Sequence, residues 1–273
     1  MDHVIVEREI GGRKLRLETG KYAKQADASV WLTYADVAIL AAVVRGAPRE
    51  GIDFFPLQVD YRERISAAGK FPGGFRKREG APTQKEILTM RLIDRPIRPL
   101  FPMGLRDEVL IQAFVESADG QNDPDVLAGT AAAAALALSS IPFEGPVATV
   151  RVGRIENQFI INPTAAQLEY SDIELVLSGH RDGINMIEVG AREVSNEVVL
   201  EAIKFGHQAI FTLLDMIDEL VSKTGQPKEA NLIVPDEALV KDMTEKLIPK
   251  IREAKITEGK LAREAAVKSV LKT

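Results

Sequence analysis

Of the chain's 273 residues, 45% are hydrophobic and 27% charged, a globular balance that excludes collagen, coiled coil and wholesale disorder. That length suits two domains, or one large domain with an appendage. Without a cysteine the chain can form no disulfide framework, thiolate zinc site, iron–sulfur cluster or cysteine nucleophile, and His3, His180 and His207 lie too far apart for a helical zinc pair.

The N-terminal residues are charged and carry no apolar signal core. The longest weakly polar run, residues 126–138, is too short for a bilayer, so a cytoplasmic protein without a membrane partner is expected. The net charge of −5 is unevenly spread. Residues 62–98 hold ten basic and four acidic side chains, a local +6 against −11 for the rest. Such crowding of cations suits a polyanion, and the alternative is a solvated face paired with acids elsewhere. Gly69, Gly73, Gly74, Gly80, Pro72, Pro82, Phe71 and Phe75 are interleaved with the Arg and Lys residues. Glycine permits close backbone approach, Arg forks match phosphate oxygens, and an aromatic ring offers a base a stacking face.

In chain order, residues 14–19 alternate as a half-buried strand, and 28–34 with 37–44 read as a hairpin turning at Ala35-Asp36. Residues 54–61 form another strand candidate. After the basic loop, 83–93 reads as a helix with Thr83 and Glu86 as a capping box; Ile87, Leu88 and Leu92 are expected to face inward and Pro96 and Pro99 to end it. Arg91 and Arg95 lie one turn apart on it. A strand at 109–115 and an Ala-rich helix at 125–139, bare enough to lie close on a sheet, come next. Short strands follow at 147–152, 158–161, 174–177 and 185–189. A long helix then runs from a Ser195 cap to Lys223, ended by Gly225. Residues 226–231 read as a polar linker, and the chain is helical from Asp236 on. The fold class is α+β, a sheet packed with helices followed by a small all-α domain, divided as 1–145, 146–225 and 232–273. The uncapped helical end suggests a truncated helical domain.

The stretch FFPLQVDYRERISAAGKFPGGFRKREGAPTQKEILTMRLIDRPIRPLFP, residues 54–102, resembles the first ribonuclease-PH-like half of the bacterial polynucleotide phosphorylase family. Leu17–Gly20, Ser140–Phe143, Asn162–Thr164 and Phe205–His207 extend the likeness over essentially the whole chain. The resemblance implies a phosphorolytic 3′→5′ exoribonuclease that releases nucleoside diphosphates with inorganic phosphate as co-substrate. Three chains would form a ring around single-stranded RNA, with partners in an RNA-degradation complex. The Mg2+ expected for the full enzyme would belong to the second half.

Three departures shape the role of this half. Phe75 keeps the family's bulky loop residue, Arg76 replaces a second one, and Lys77-Arg78 supply the basic pair. Asn122-Asp123-Pro124-Asp125 stands where a Gly-Ser-Ser phosphate site is found in the catalytic half. The strand before Ser178-Gly179 offers Glu174 and Val176 where that half has an Asp and a Lys. This half is therefore read as non-catalytic and RNA-guiding, through Phe75, Arg76, Lys77, Arg78, Arg91, Arg95 and Arg98. A stand-alone, non-catalytic ring subunit is the other reading.

The remaining candidates have plainer roles. Asp119, Asp123, Asp125 and Asp172 are read as turn and cap residues rather than a metal cluster, His207 as packed, and Trp31 as core. Asp94 offers one of the three arginines a structural ion pair.

Overall fold

The structure is a computed structural model that describes residues 2–272. It divides into two compact units, the first ending at Leu232 and the second starting at Ile233.

The first unit opens with four antiparallel strands, β1 (Val4–Ile10), β2 (Arg13–Thr19), β3 (Ala28–Tyr34) and β4 (Val37–Gly46). β5 (Leu57–Glu63) and β6 (Glu108–Ser117) complete a sheet ordered β1-β2-β3-β4-β6-β5. β5 and β6 are the one parallel pair in it, so the chain between them must cross over. That crossover carries a 3-10 turn (Ile65–Ala68), the basic loop and helix α1 (Gln84–Ile97).

Helix α2 (Pro124–Leu138) leads to a second, antiparallel sheet of β7 (Ala148–Ile155), β8 (Gln158–Ile161), β9 (Ile173–His180) and β10 (Gly183–Ala191), ordered β10-β9-β7-β8. The short α3 (Ala165–Tyr170) lies between β8 and β9, and α4 (Asn196–Thr224) closes the unit. Seven alanines and a glycine make α2 thin, and every one of its residues is buried. It packs against β3, β4 and β6 of one sheet, β7 of the other, and α1 and α4. Buried hydroxyls tie these layers. Thr130 Oγ1 accepts from the Thr149 N–H at 3.1 Å, and the Thr149 and Ser178 hydroxyls are 2.8 Å apart.

The Thr83–Glu86 capping box forms as the sequence indicates. The inward face of α1 differs from expectation: Leu92, Ile93 and Ile97 are buried with Glu86 and Thr89, whereas Ile87 and Leu88 are 48% and 55% exposed. The Glu86 carboxylate bonds inward to β5, and Leu88, one turn before the buried Leu92 and on the same face, lines open space near the start of α1 rather than packed core. Pro96 lies inside the helix; it sits in the last turn, where α1 passes into a second 3-10 turn. Trp31 is half-buried rather than core, its ring 4.6 Å from that of Tyr22. β1 and α3 were not legible as elements.

The stretch expected to be a linker is tied to the first unit. The Lys228 ammonium donates to the carbonyls of Leu136, Ala137 and Ser139 at 2.7–3.0 Å, and the Gln226 N–H donates to the Leu138 carbonyl at 2.9 Å. These bonds satisfy carbonyls that the end of α2 leaves unpaired. The second unit is a helical pair, α5 (Glu237–Lys255) capped by Asp236 and α6 (Lys260–Val270).

α4 crosses the second sheet at Gly206, where an added Cβ would lie 2.8 Å from Val152 Cγ2 and 3.0 Å from Leu177 Cδ2. Gly206→Val is expected to destabilise the fold by about 1–3 kcal/mol through overpacking. Denaturant unfolding of this variant beside Gly190→Ala, whose Cβ would meet nothing closer than 4.0 Å, checks that the loss comes from this contact.

Candidate nucleic-acid interface and the adjoining cleft

The capping box does more than start α1. Glu86 accepts from the Thr83 N–H at 2.6 Å and from the β5 backbone N–H of Glu63 at 2.9 Å, so the helix start is fixed to the end of a strand. Burial works against the charge on Glu86, but these backbone donors outweigh it and hold its carboxyl below the ordinary range.

Next to this anchor the basic loop is closed at its base. Arg62 donates to the Gly80 carbonyl at 2.9 Å, and Glu79 accepts from the Ile65 N–H at 3.0 Å. Gly69 and Gly74 have φ of 67° and 73°, and Lys77 shares that left-handed region at 51°. Phe75, Arg76, Lys77 and Arg78 are all exposed.

The acids of the segment do not neutralise this tip. Glu63 takes Lys85 at 3.0 Å and the Tyr61 hydroxyl at 2.8 Å, Glu86 caps α1, Glu79 binds backbone, and Asp94 takes Arg98 at 2.5 Å. Arg95 pairs with Glu188. Among the described residues, Lys70, Arg76, Lys77, Arg78 and Arg91 have neither an ion pair nor a side-chain hydrogen bond. The seven residues singled out in the sequence therefore fall into two groups. Phe75, Arg76, Lys77, Arg78 and Arg91 are exposed and unpartnered, while Arg95 and Arg98 are held in ion pairs within the fold.

Beside α1 lies a cleft of about 600 Å³, bounded by α1, the start of α2, and β7, β9 and β10. Its centre is Arg151, whose side chain is only 8% exposed. The guanidinium is 2.6 Å from Asp125, 3.4 Å from Asp123 and 3.4 Å from Glu174. Lys85 reaches the other oxygen of Asp123 at 3.2 Å. Burial opposes the charge on Arg151, yet the three carboxylates more than offset it and keep it above its ordinary value. Burial pushes the Asp125 carboxyl up, and Arg151 pulls it back. Sequence reasoning missed Arg151. Its signal was a lone charge inside the apolar run 147–152.

The aspartates read as turn and cap residues hold such places. Asp119 accepts from the N–H groups of Gln121 and Asn122, Asp123 caps α2, and Asp172 pairs with Arg154 at 3.1 Å. Asp125 differs, being the main partner of Arg151. Among the described residues, no group of three or more His, Asp or Glu side chains is arranged to hold a metal ion. The Asp123–Asp125–Glu174 set does not fit one, because a guanidinium already occupies its middle. His207 packs, its Nε2 3.1 Å from the His180 carbonyl and its ring on Phe211.

Two sheets around a thin helix, with this cleft at one end of it, define the class. The chain belongs to the 3′ exoribonuclease family, whose domain 1 matches residues 11–142 and domain 2 residues 145–209. It is 48% identical over 267 residues to the polyribonucleotide nucleotidyltransferase of Rhodopirellula baltica, covering 98% of this chain and 36% of that protein. The enzyme of the same name from Heliobacterium modesticaldum is 48% identical over 270 residues, with 98% and 38% covered. The chain thus spans little more than a third of the length of these curated relatives. The crystal structure of rice (Oryza sativa) Rrp46 shares the fold, with a TM-score of 0.64 at 15% identity over 78% of this chain and 96% of that one.

Arg151→Met would leave Asp125 buried without its counter-charge, and a loss of about 3–5 kcal/mol is expected at pH 7.5. With its folded pKa raised, Asp125 opposes folding only where it is ionised, so the loss should shrink as pH falls through that pKa. Denaturant titrations at pH 7.5 and 4.5 check the sign.

Proposed function

We propose that the chain is the RNA-guiding, non-catalytic first ribonuclease-PH-like half of a phosphorolytic 3′→5′ exoribonuclease. In this reading the complete enzyme transfers nucleotides from the RNA 3′ end to inorganic phosphate and releases nucleoside diphosphates. Residues 1–145 and 146–225 form the two parts of this half, and 232–273 begin a helical domain. Phosphate binding, Mg2+ and transferred-phosphoryl stabilisation belong to a second half outside this chain. Three such chains form a ring in the cytoplasm, and single-stranded RNA passes through it.

The observation that carries this reading is the contrast between the two basic sites. In the cleft Arg151 is surrounded by the carboxylates of Asp123, Asp125 and Glu174, so an incoming phosphate would meet negative charge. In the loop the cations have no acid among the described residues to satisfy them, and an exposed ring stands beside them. An exposed cationic tip of this kind suits a strand that must slide. Phosphate contacts bind regardless of sequence, and a ring stacks on any base. The exposed Arg91 is the arginine of α1 best placed for a phosphate; Arg95 and Arg98 would have to leave Glu188 and Asp94 first.

Changing Lys77 and Arg78 together to Ala in the full-length protein should weaken single-stranded RNA binding evenly across sequences. The plot of log affinity against log salt should flatten by roughly one to two units, about 0.7 per lost phosphate contact. An unaltered slope with wild-type affinity contradicts the reading. Separately, this chain alone, given oligoadenylate, phosphate and Mg2+, should release no nucleoside diphosphate above a blank. Phosphate-dependent release lost in Asp172→Asn or Glu174→Gln would move the chemistry into this half.

A further inference from the structure

Among the described residues, Phe75 is not the only unpartnered ring of the loop. Phe71 is 91% exposed and Phe75 103%, well beyond Phe54 at 62%, whereas Phe55 meets Phe101, Phe101 meets Phe143, and Phe159 meets Phe205 within the fold. Among the described residues, neither Phe71 nor Phe75 has an aromatic partner. Both sit in the same short loop, four residues apart, so their Cα atoms are at most about 14 Å apart. Pro72 biases Phe71 toward an extended backbone and restricts its own φ, while Gly73 and Gly74 supply the bend before Phe75. Lys70 precedes the first ring and Arg76 follows the second. Both are exposed and unpaired among the described residues.

We infer that Phe71 is a second stacking platform for single-stranded RNA, working with Phe75 across the Pro72-Gly73-Gly74 bend. This rests on the RNA-guiding reading of the loop and adds a residue to it. A strand with bases on both rings would lay its phosphates beside Lys70 and the Arg76–Arg78 run. The two contributions are separable, because stacking is insensitive to salt and phosphate neutralisation is not. The flanking cations select this occupant. An apolar protein partner would leave four positive charges uncompensated at its edge, whereas a nucleic-acid strand supplies bases and phosphates together.

The test uses the full-length protein with oligoadenylate and an abasic ribose-phosphate oligomer of equal length. Phe71→Ala should weaken oligoadenylate binding by about 5- to 150-fold with an unchanged salt slope, and leave the abasic oligomer's affinity unaltered. Phe71→Trp should restore binding. If Phe71→Ala binds oligoadenylate like wild type while Lys77→Ala with Arg78→Ala flattens the salt slope, Phe71 is no platform and the loop reading stands. If neither changes binding, both ideas fail. An equal loss for both oligomers, or a changed oligomeric mass, would make Phe71 a structural or subunit contact and overturn the inference.

Discussion

Two sheets close on one core here because the helix between them is almost bare. A helix of ordinary side chains would hold the layers apart, but the seven alanines and the glycine of α2 let both sheets and α4 approach it. Gly129 shows how little room remains, since a Cβ there would stand 3.0 Å from Thr149 Oγ1. The position of the α2 N-terminus follows from this packing, and with it the position of Asp123 and Asp125 beneath the cleft. Its C-terminus is closed by Lys228, so both ends of the central helix are fixed by charge as well as by packing.

From that frame the two basic regions acquire opposite characters. Arg151 emerges from β7 into carboxylates on α2 and β9. The cost of desolvating it is met by partners within the fold, and little remains to attract an anion. The loop between β5 and α1 has its acids drawn off into structural work at its base, in the capping box and along α1, which leaves its tip cationic. One charge-rich sequence thus yields a neutralised cleft and an unsatisfied loop. The difference lies in where each acid is spent, not in how many there are.

Much of this was legible in the sequence, where local chemistry decides the outcome. The Thr83–Glu86 box, the Ala35-Asp36 hairpin and the Ala-rich helix follow from residues within a few positions of one another. What could not be read depends on contacts distant in sequence. Ile87 and Leu88 look inward by spacing, but the elements that bound the cleft beside α1 leave Leu88 facing open space, while Glu86 takes an inward place by bonding to Glu63. Residues 226–231 look like a linker until Lys228 meets α2 some ninety residues earlier. β1 breaks its apolar start Val4-Ile5-Val6 with the charged run Glu7-Arg8-Glu9 and is held as a strand mainly by β2, while α3 is barely longer than a turn. Of the candidate site, the loop was evident from composition and the ion pair of Asp94 with one arginine from spacing, which the structure gives to Arg98, but the pairing of Arg95 with Glu188 and the neutralisation of Arg151 were not, because their partners lie on other elements.

The division of roles between loop and cleft is tested most directly by photocrosslinking. Full-length protein bound to single-stranded RNA carrying 4-thiouridine would be irradiated, digested and mapped by mass spectrometry. The account predicts crosslinks in residues 70–78 and none on Asp123, Asp125, Arg151 or Glu174. Crosslinks concentrated on those four residues, with none in the loop, would contradict it.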